Sequence, residues 1–177
     1  MIFIRSVQLV LLFVILLTAG CAASNNGLKS DWKSEHTDNS DDIRESSLKI
    51  VIYTDFECGA CERFNLKVEP KLREFESTGI VKIQIRMLGA LSDESMRGAQ
   101  AALWAGDSGR FLDYHDALFQ AFRQSTDNPC TKEKLIDLAG SLGLKKKSLR
   151  RCLDSDCKKP ELAKNMDMAK TMYTPGS

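Results

Sequence analysis

Cys58-Gly59-Ala60-Cys61 lies where an apolar, strand-like run, Leu48-Lys49-Ile50-Val51-Ile52-Tyr53, gives way to a helix-like one. In that second run Phe64, Val68, Leu72 and Phe75 fall on one face. Two cysteines separated by two residues can close a small disulfide ring. The strand-to-helix junction sets the first thiol at a helix N-terminus, where unpaired N–H groups and the positive end of the macrodipole favour thiolate. A stabilised thiolate is both nucleophile and leaving group, as thiol–disulfide exchange requires. The same spacing also serves half of a zinc site or one arm of a structural disulfide. The strand–CxxC–helix order favours the redox reading.

The N-terminus bears on where such chemistry takes place. Arg5 is the only charge before the apolar run Leu9–Leu17, which is too short for a bilayer span of about 20 residues. A basic start, a short apolar stretch and small residues after it describe a secretory signal. Leu17-Thr18-Ala19-Gly20-Cys21 resembles the lipobox of bacterial lipoproteins, in which the cysteine is lipidated and becomes the new N-terminus. Thr18 stands where that pattern prefers leucine. The resemblance implies a signal peptide over 1–20, lipidation of Cys21, and a protein anchored at the extracytoplasmic face of a bacterial membrane. The alternative is an ordinary secretory signal with an incidental Cys21. Either way the chain is exported to a compartment that permits disulfides.

Met1–Gly20 holds one arginine and no acid, so the rest of the chain balances 24 basic against 24 acidic residues. No nucleic-acid partner follows from that balance. Residues 21–47 read as the lipidated cysteine and a polar tether, too poor in large apolar residues to fold alone. Of the six cysteines, Cys130, Cys152 and Cys157 remain after the redox pair and Cys21, and three cannot all pair. A loop-to-loop bridge between Cys130 and Cys157 is expected, with Cys152 left as a buried thiol beside Leu149 and Leu153.

The folded part begins near Leu48. Its first strand, almost continuously apolar, reads as a buried parallel strand. Pro70 should kink or interrupt the following helix. Val81, Ile83, Ile85 and Met87 then alternate with Lys82, Gln84 and Arg86, a half-buried strand. These make a β-α-β unit over 48–91. Residues 92–172 read as all helix, with segments at Asp93–Ala105, around Phe111–Phe122, and at Lys132–Leu142, Lys146–Leu153 and Glu161–Met172. Thr131 is the expected N-cap of the third and Gly143 its terminator. Lys145, Lys146, Lys147, Arg150 and Arg151 read as a solvated basic face, and His115 as an interfacial helix residue, since nothing in the sequence sets it beside the CxxC.

Tyr53-Thr54-Asp55-Phe56-Glu57-Cys58-Gly59-Ala60-Cys61 resembles the active-site stretch of DsbA-like thiol:disulfide oxidoreductases. The helix with Pro70, the strand after Gly79, the segment Gly109–Phe119 and Cys152-Leu153 continue the resemblance, which runs from about Leu48 to Met172. It implies an α/β, thioredoxin-like fold with a helical domain inserted after the second strand. It also implies Cys58 as exposed nucleophile, Cys61 as its buried partner, and no cofactor. The implied partners are exported proteins with thiols or disulfides, and a membrane redox partner that reoxidises or reduces the pair. Gly59-Ala60 lacks the histidine or aromatic residue common in the family, so oxidase, reductase and isomerase all stay open, oxidase fitting an exported location best.

The family's closing cis-proline loop, two antiparallel strands and helix have no counterpart before Ser177, so the fold reads as incomplete, its β-α-β half present. Residues 173–177 read as the start of the cis-proline region, in two alignments. Thr174-Pro175 is the Thr–cis-Pro pair in one; Gly176-Ser177 immediately precedes that proline in the other. Two further readings stand beside the enzyme. One is an impaired, truncated remnant. The other is a metal module in which Cys58, Cys61, Cys152 and Cys157 supply four sulfurs.

Overall fold

The computed structural model describes residues 48–172. Two strands, β1 (Leu48–Thr54) and β2 (Val81–Met87), pair in parallel in register from Leu48 opposite Val81 to Thr54 opposite Met87. Between them run α1 (Gly59–Lys67) and α2 (Glu69–Ser77). Pro70 lies in the first turn of α2, where its missing N–H removes no intrahelical bond, and the break falls at Val68. Gly79, at φ 77°, then turns the chain into β2.

β2 has both ends buried and Lys82 exposed, and its remaining interior residues, apolar and polar alike, are half-buried. β1 departs from expectation. Its apolar residues are half-buried and Leu48 is 66% exposed. Among the described residues β1 has one strand neighbour, β2.

The helical part contains α3 (Asp93–Gly106), α4 (Phe111–Gln124), α5 (Lys132–Ser141), α6 (Lys146–Asp154) and α7 (Lys159–Met172). α3 is the hub, packing against the other four. Its buried face is Gly98, Ala99, Ala101, Ala102 and Ala105 with Leu103, and side chains this small let the helices approach closely. Around it Phe111, Tyr114, Leu118, Phe119, Leu135, Leu149 and Leu162 are buried, each aliphatic or aromatic side chain contributing about 1.5–3 kcal/mol. The Tyr114 hydroxyl donates to Leu135 O at 2.8 Å, joining α4 to α5.

Helix ends follow local chemistry. Ser92 caps α3 by accepting from Ser95 N at 3.0 Å. Thr131 occupies the N-cap of α5, yet its side chain makes no capping bond. Gly143, at φ 76°, ends α5 with Leu144 N bonded to Ala139 O at 2.8 Å, a Schellman closure. At the far end of the chain, Asn165 of α7 donates to Met87 O (3.0 Å) and accepts from Arg86 (3.1 Å), which fixes α7 against β2. Among the described residues no helix is long and apolar enough to cross a membrane.

Candidate active site

The chain leaves β1 at Thr54 and turns through Asp55-Phe56-Glu57 into α1, whose N-cap is Cys58 (φ −84°, ψ 108°). The Cys58 sulfur accepts from Cys61 N at 3.4 Å, and Cys58 O accepts from Glu62 N at 3.0 Å. An N-cap thiol takes the place of the usual serine or aspartate oxygen, so the helix end acts directly on its sulfur. Cys58 and Cys61 are both free thiols and both half-buried. Cys61 packs against the edge of the core, whereas Gly59 and Ala60 beside Cys58 are exposed.

This environment splits the two acidities. The hydrogen bond from the Cys61 thiol holds the Cys58 thiol below its ordinary value; partial burial opposes this, and the backbone N–H groups of Cys61 and Ala60 reinforce it. Burial pushes the Cys61 thiol up, and its bond to Cys58 pushes the same way. One sulfur is thus prepared to be attacked or to leave as thiolate, and the other to stay protonated until exchange exposes it.

Two acids shape the turn. Asp55, 4% exposed, accepts from Glu57 N (3.0 Å), Ala90 N (2.8 Å) and the Ser95 hydroxyl (2.6 and 2.7 Å). Glu57 accepts from the Ser92 hydroxyl (2.6 Å) and Asn128 (2.8 Å), and Asn128 also accepts from Cys130 N (2.8 Å). Between these acids Phe56 is buried and packs on Phe119 at 4.8 Å and His115 at 5.7 Å.

His115 therefore does reach the CxxC turn, through Phe56, and it is completely buried. Its Nδ1 lies 3.0 Å from Asp116 Oδ1, while Nε2 has no hydrogen-bond partner among the described residues. Behind it, Arg73 grips Asp116 with both terminal nitrogens (2.7 and 2.9 Å) and also bonds Glu69, and Asn65 bridges the same two carboxylates at 3.2 Å each. Burial alone would push the Asp116 carboxyl up; the bonds from His115 and Arg73 hold it well below the usual carboxylate range. Glu69, His115 and Asp116 bring three potential metal ligands within 4.8 Å of one another, but the Arg73 guanidinium is already the cation between the carboxylates. Sequence reasoning missed this cluster. Its signal was a polar stripe at Asn65, Glu69 and Arg73, spaced four apart through an otherwise amphipathic segment.

The remaining cysteines are not paired as expected. Cys152 is bonded to Cys157, with Cα atoms 4.9 Å apart, and Cys130 is the buried free thiol. The expected Cys130–Cys157 bridge is thus replaced, and Cys130 and Cys152 exchange roles. Cys130 is fully buried against α3, its sulfur so close to Gly98 that a Cβ there would lie 2.5 Å away. Burial pushes its thiol up to about 12. Cys152 does sit on the apolar face with Leu149 and Leu153, but the turn into α7 returns Cys157 to it. With Cys152 and Cys157 bonded to each other, the four-sulfur metal reading loses two of its ligands. The sites expected at Cys21, Thr174 and Pro175, the signal peptide, the tether and residues 173–177 lie outside the described residues.

Residues 44–175 match the family model described as Thioredoxin. The chain is 26% identical over 132 residues to disulfide bond formation protein D of Bacillus subtilis, covering 72% of this chain and 60% of that protein. The curated relatives are spanned over 45–64% of their lengths. Among solved structures, the crystal structure of oxidised BdbD from Bacillus subtilis superposes with a TM-score of 0.65 at 26% identity, covering 76% of this chain and 75% of that one. MdbA, a thiol-disulfide oxidoreductase from Actinomyces oris, superposes with a TM-score of 0.63 at 19% identity over 75% of this chain and 68% of that one, a likeness of fold.

Proposed function

The chain belongs to the thioredoxin family, and on that premise we propose that it is an extracytoplasmic protein thiol:disulfide oxidoreductase working through Cys58 and Cys61. The observation that carries the reading is the Cys58 thiol at the N-cap of α1, held acidic beside a Cys61 thiol that burial holds the other way. The similarity to disulfide bond formation protein D and to BdbD supports it.

In the oxidising direction a substrate thiolate attacks the Cys58 sulfur of a Cys58–Cys61 disulfide. The Cys58–Cys61 bond breaks, its electron pair leaves on Cys61, and a mixed disulfide forms at Cys58. A second substrate thiolate then attacks the substrate sulfur of that mixed disulfide, and Cys58 departs as thiolate. The substrate dithiol is oxidised and the enzyme pair reduced by the same two electrons. A stabilised Cys58 thiolate favours this direction because it makes the reduced pair the better product. A membrane redox partner would remove the two electrons, and lipid on Cys21 would hold the enzyme beside it.

The test uses full-length oxidised protein and a reduced two-cysteine reporter peptide. Cys58→Ser should abolish disulfide transfer; Cys61→Ser, offered the peptide in its disulfide form, should accumulate mixed disulfides, the Cys58 thiolate breaking the peptide disulfide and one peptide sulfur leaving as thiolate. Transfer that survives Cys58→Ser would overturn the assignment. Lipidation is tested separately, by incorporation of labelled fatty acid that Cys21→Ala should remove.

A further inference from the structure

A buried carboxylate three residues before the nucleophile takes one donor from the CxxC turn and others from outside it. Asp55 is 4% exposed and saturated with donors from three places: Glu57 N in the turn itself, Ala90 N in the β2–α3 connection, and Ser95 Oγ on α3. Asp55 O also accepts from Cys58 N at 3.2 Å. One residue therefore holds the Cys58 backbone with its carbonyl and holds the helical insert with its carboxylate. A charge fixed in that position costs more to bury than a neutral acceptor would, and that excess cost calls for a use.

We propose that Asp55 is a positioning residue for the redox pair: it clamps the Cys58 turn to the helical insert, and its carboxylate, held behind that turn, stands against the Cys58 thiolate and makes the pair less oxidising. This rests on the reading of Cys58 as the nucleophile. Two opposing influences then meet at one sulfur. The helix N-terminus and the Cys61 donor favour thiolate, while Asp55 disfavours it, in the direction its charge has on Cys58. Gly59-Ala60 offers only backbone between the cysteines, and after the Cys61 thiol, burial and the backbone donors, the Asp55 charge is the smallest influence on Cys58. Ser95 modulates it, because a hydroxyl donating to both carboxylate oxygens disperses their charge. Other charged or titratable groups near the turn are Arg63, whose guanidinium lies beside Gly59, Glu62, whose N–H bonds Cys58 O, and Glu57 and Cys61; Cys130, Glu94 and Arg97 lie beyond Asp55, and His115 is reached through Phe56.

The experiment measures alkylation of Cys58 against pH, site by site by mass spectrometry, on the reduced full-length protein, together with its equilibrium with glutathione. Asp55→Asn should move the Cys58 profile to lower pH, with about threefold faster alkylation below the midpoint, and shift the glutathione equilibrium about threefold toward the dithiol. Ser95→Ala keeps the charge and removes its dispersing donor, so its profile should move to higher pH. A profile unmoved by Asp55→Asn, or moved the same way by both variants, overturns the proposal. Buried Cys130 reports folding in the same spectra; if Asp55→Asn exposes it, the opposite displacement in Ser95→Ala alone decides, and a Ser95→Ala profile unmoved or moved down refutes the idea. Alkylation does not depend on disulfide transfer, so failure here is separable from failure of the oxidoreductase reading.

Discussion

Replacing Arg73 with alanine should cost more than an ordinary surface ion pair. Its guanidinium bonds Glu69 and Asp116, whose side chains are 3% and 45% exposed, while Arg73 itself is 27% exposed. Removing one partner of a fully buried pair costs about 3–5 kcal/mol, because a bare charge stays behind. A fully exposed pair is worth at most about 1 kcal/mol. Glu69 belongs to the first class and Asp116 lies toward the second, so the expected loss is about 2–3 kcal/mol. Urea denaturation of the full-length protein at neutral pH measures it. If the loss comes from the stranded Glu69 charge, Glu69→Gln in the Arg73→Ala background should recover most of it. A loss under about 0.5 kcal/mol, or a double variant no better than the single, would refute the reasoning. The pH dependence supplies a second check. The folded Asp116 carboxyl is held below its unfolded value, so the unfolded state binds the extra proton first. Its contribution is complete above the ordinary aspartate range and fades as pH falls through the lower folded value. Acid should therefore weaken the wild type more steeply than Arg73→Ala.

Three more outcomes follow from the structure. In the reduced protein at neutral pH, Cys58 should be alkylated well before Cys61, and Cys130 last, because burial raises both of the latter; equal rates at Cys58 and Cys61 would contradict the split acidities. Gly98→Ala should destabilise the protein by about 1–3 kcal/mol despite alanine's better helix propensity, because the new Cβ meets Cys130 Sγ at 2.5 Å and Phe56 at 3.3 Å; Cys130→Ala in the same chain should restore most of it, as thermal melts would show. Replacing Cys152 and Cys157 together with alanine should cost about 2 kcal/mol, since the bridge closes a loop of sequence separation 5 and short loops restrict the unfolded chain least; chemical denaturation showing twice that would mean the bridge does more than close its loop.

What the sequence discloses about this fold is mainly local. The CxxC, its strand and its helix are contiguous, so period and spacing place them, and Pro70 and Gly143 mark a helix start and a helix end through backbone chemistry alone. The helical segments after Ser92 fall within a few residues of their expected bounds for the same reason. Cysteine pairing was not legible. It depends on Cys130 being buried against Gly98 of α3 and on the turn that brings Cys157 back to Cys152, neither of which has a periodic signature. His115 shows the same limit: its helical spacing marked it as interfacial, but its complete burial and its contact with Phe56 exist only once α4 packs beneath the CxxC turn. Asp55 and Glu57 enter the sequence reading only within the stretch that resembles a DsbA-like active site, because the donors that hold them arrive from elsewhere in the chain.

Those donors carry a consequence for the order of assembly. Ala90 and Ser92 are 35 residues from the acids they bind, Ser95 is 40 residues from Asp55, and Asn128 is 71 residues from Glu57. Contacts that close long loops form after local ones, because chain entropy opposes them until other packing repays it. α1 and its cysteines can therefore appear early, while the turn that aims them waits for α3 and the α4–α5 connection to dock. Pulse-labelled hydrogen exchange during refolding should find the Glu57 and Ala90 amides protected later than the amides inside α3; simultaneous protection would contradict this order. A folding chain thus passes through a stage in which both thiols are exposed on a nascent helix before any carboxylate is fixed behind them, and its reactivity is least governed while its own fold is unfinished.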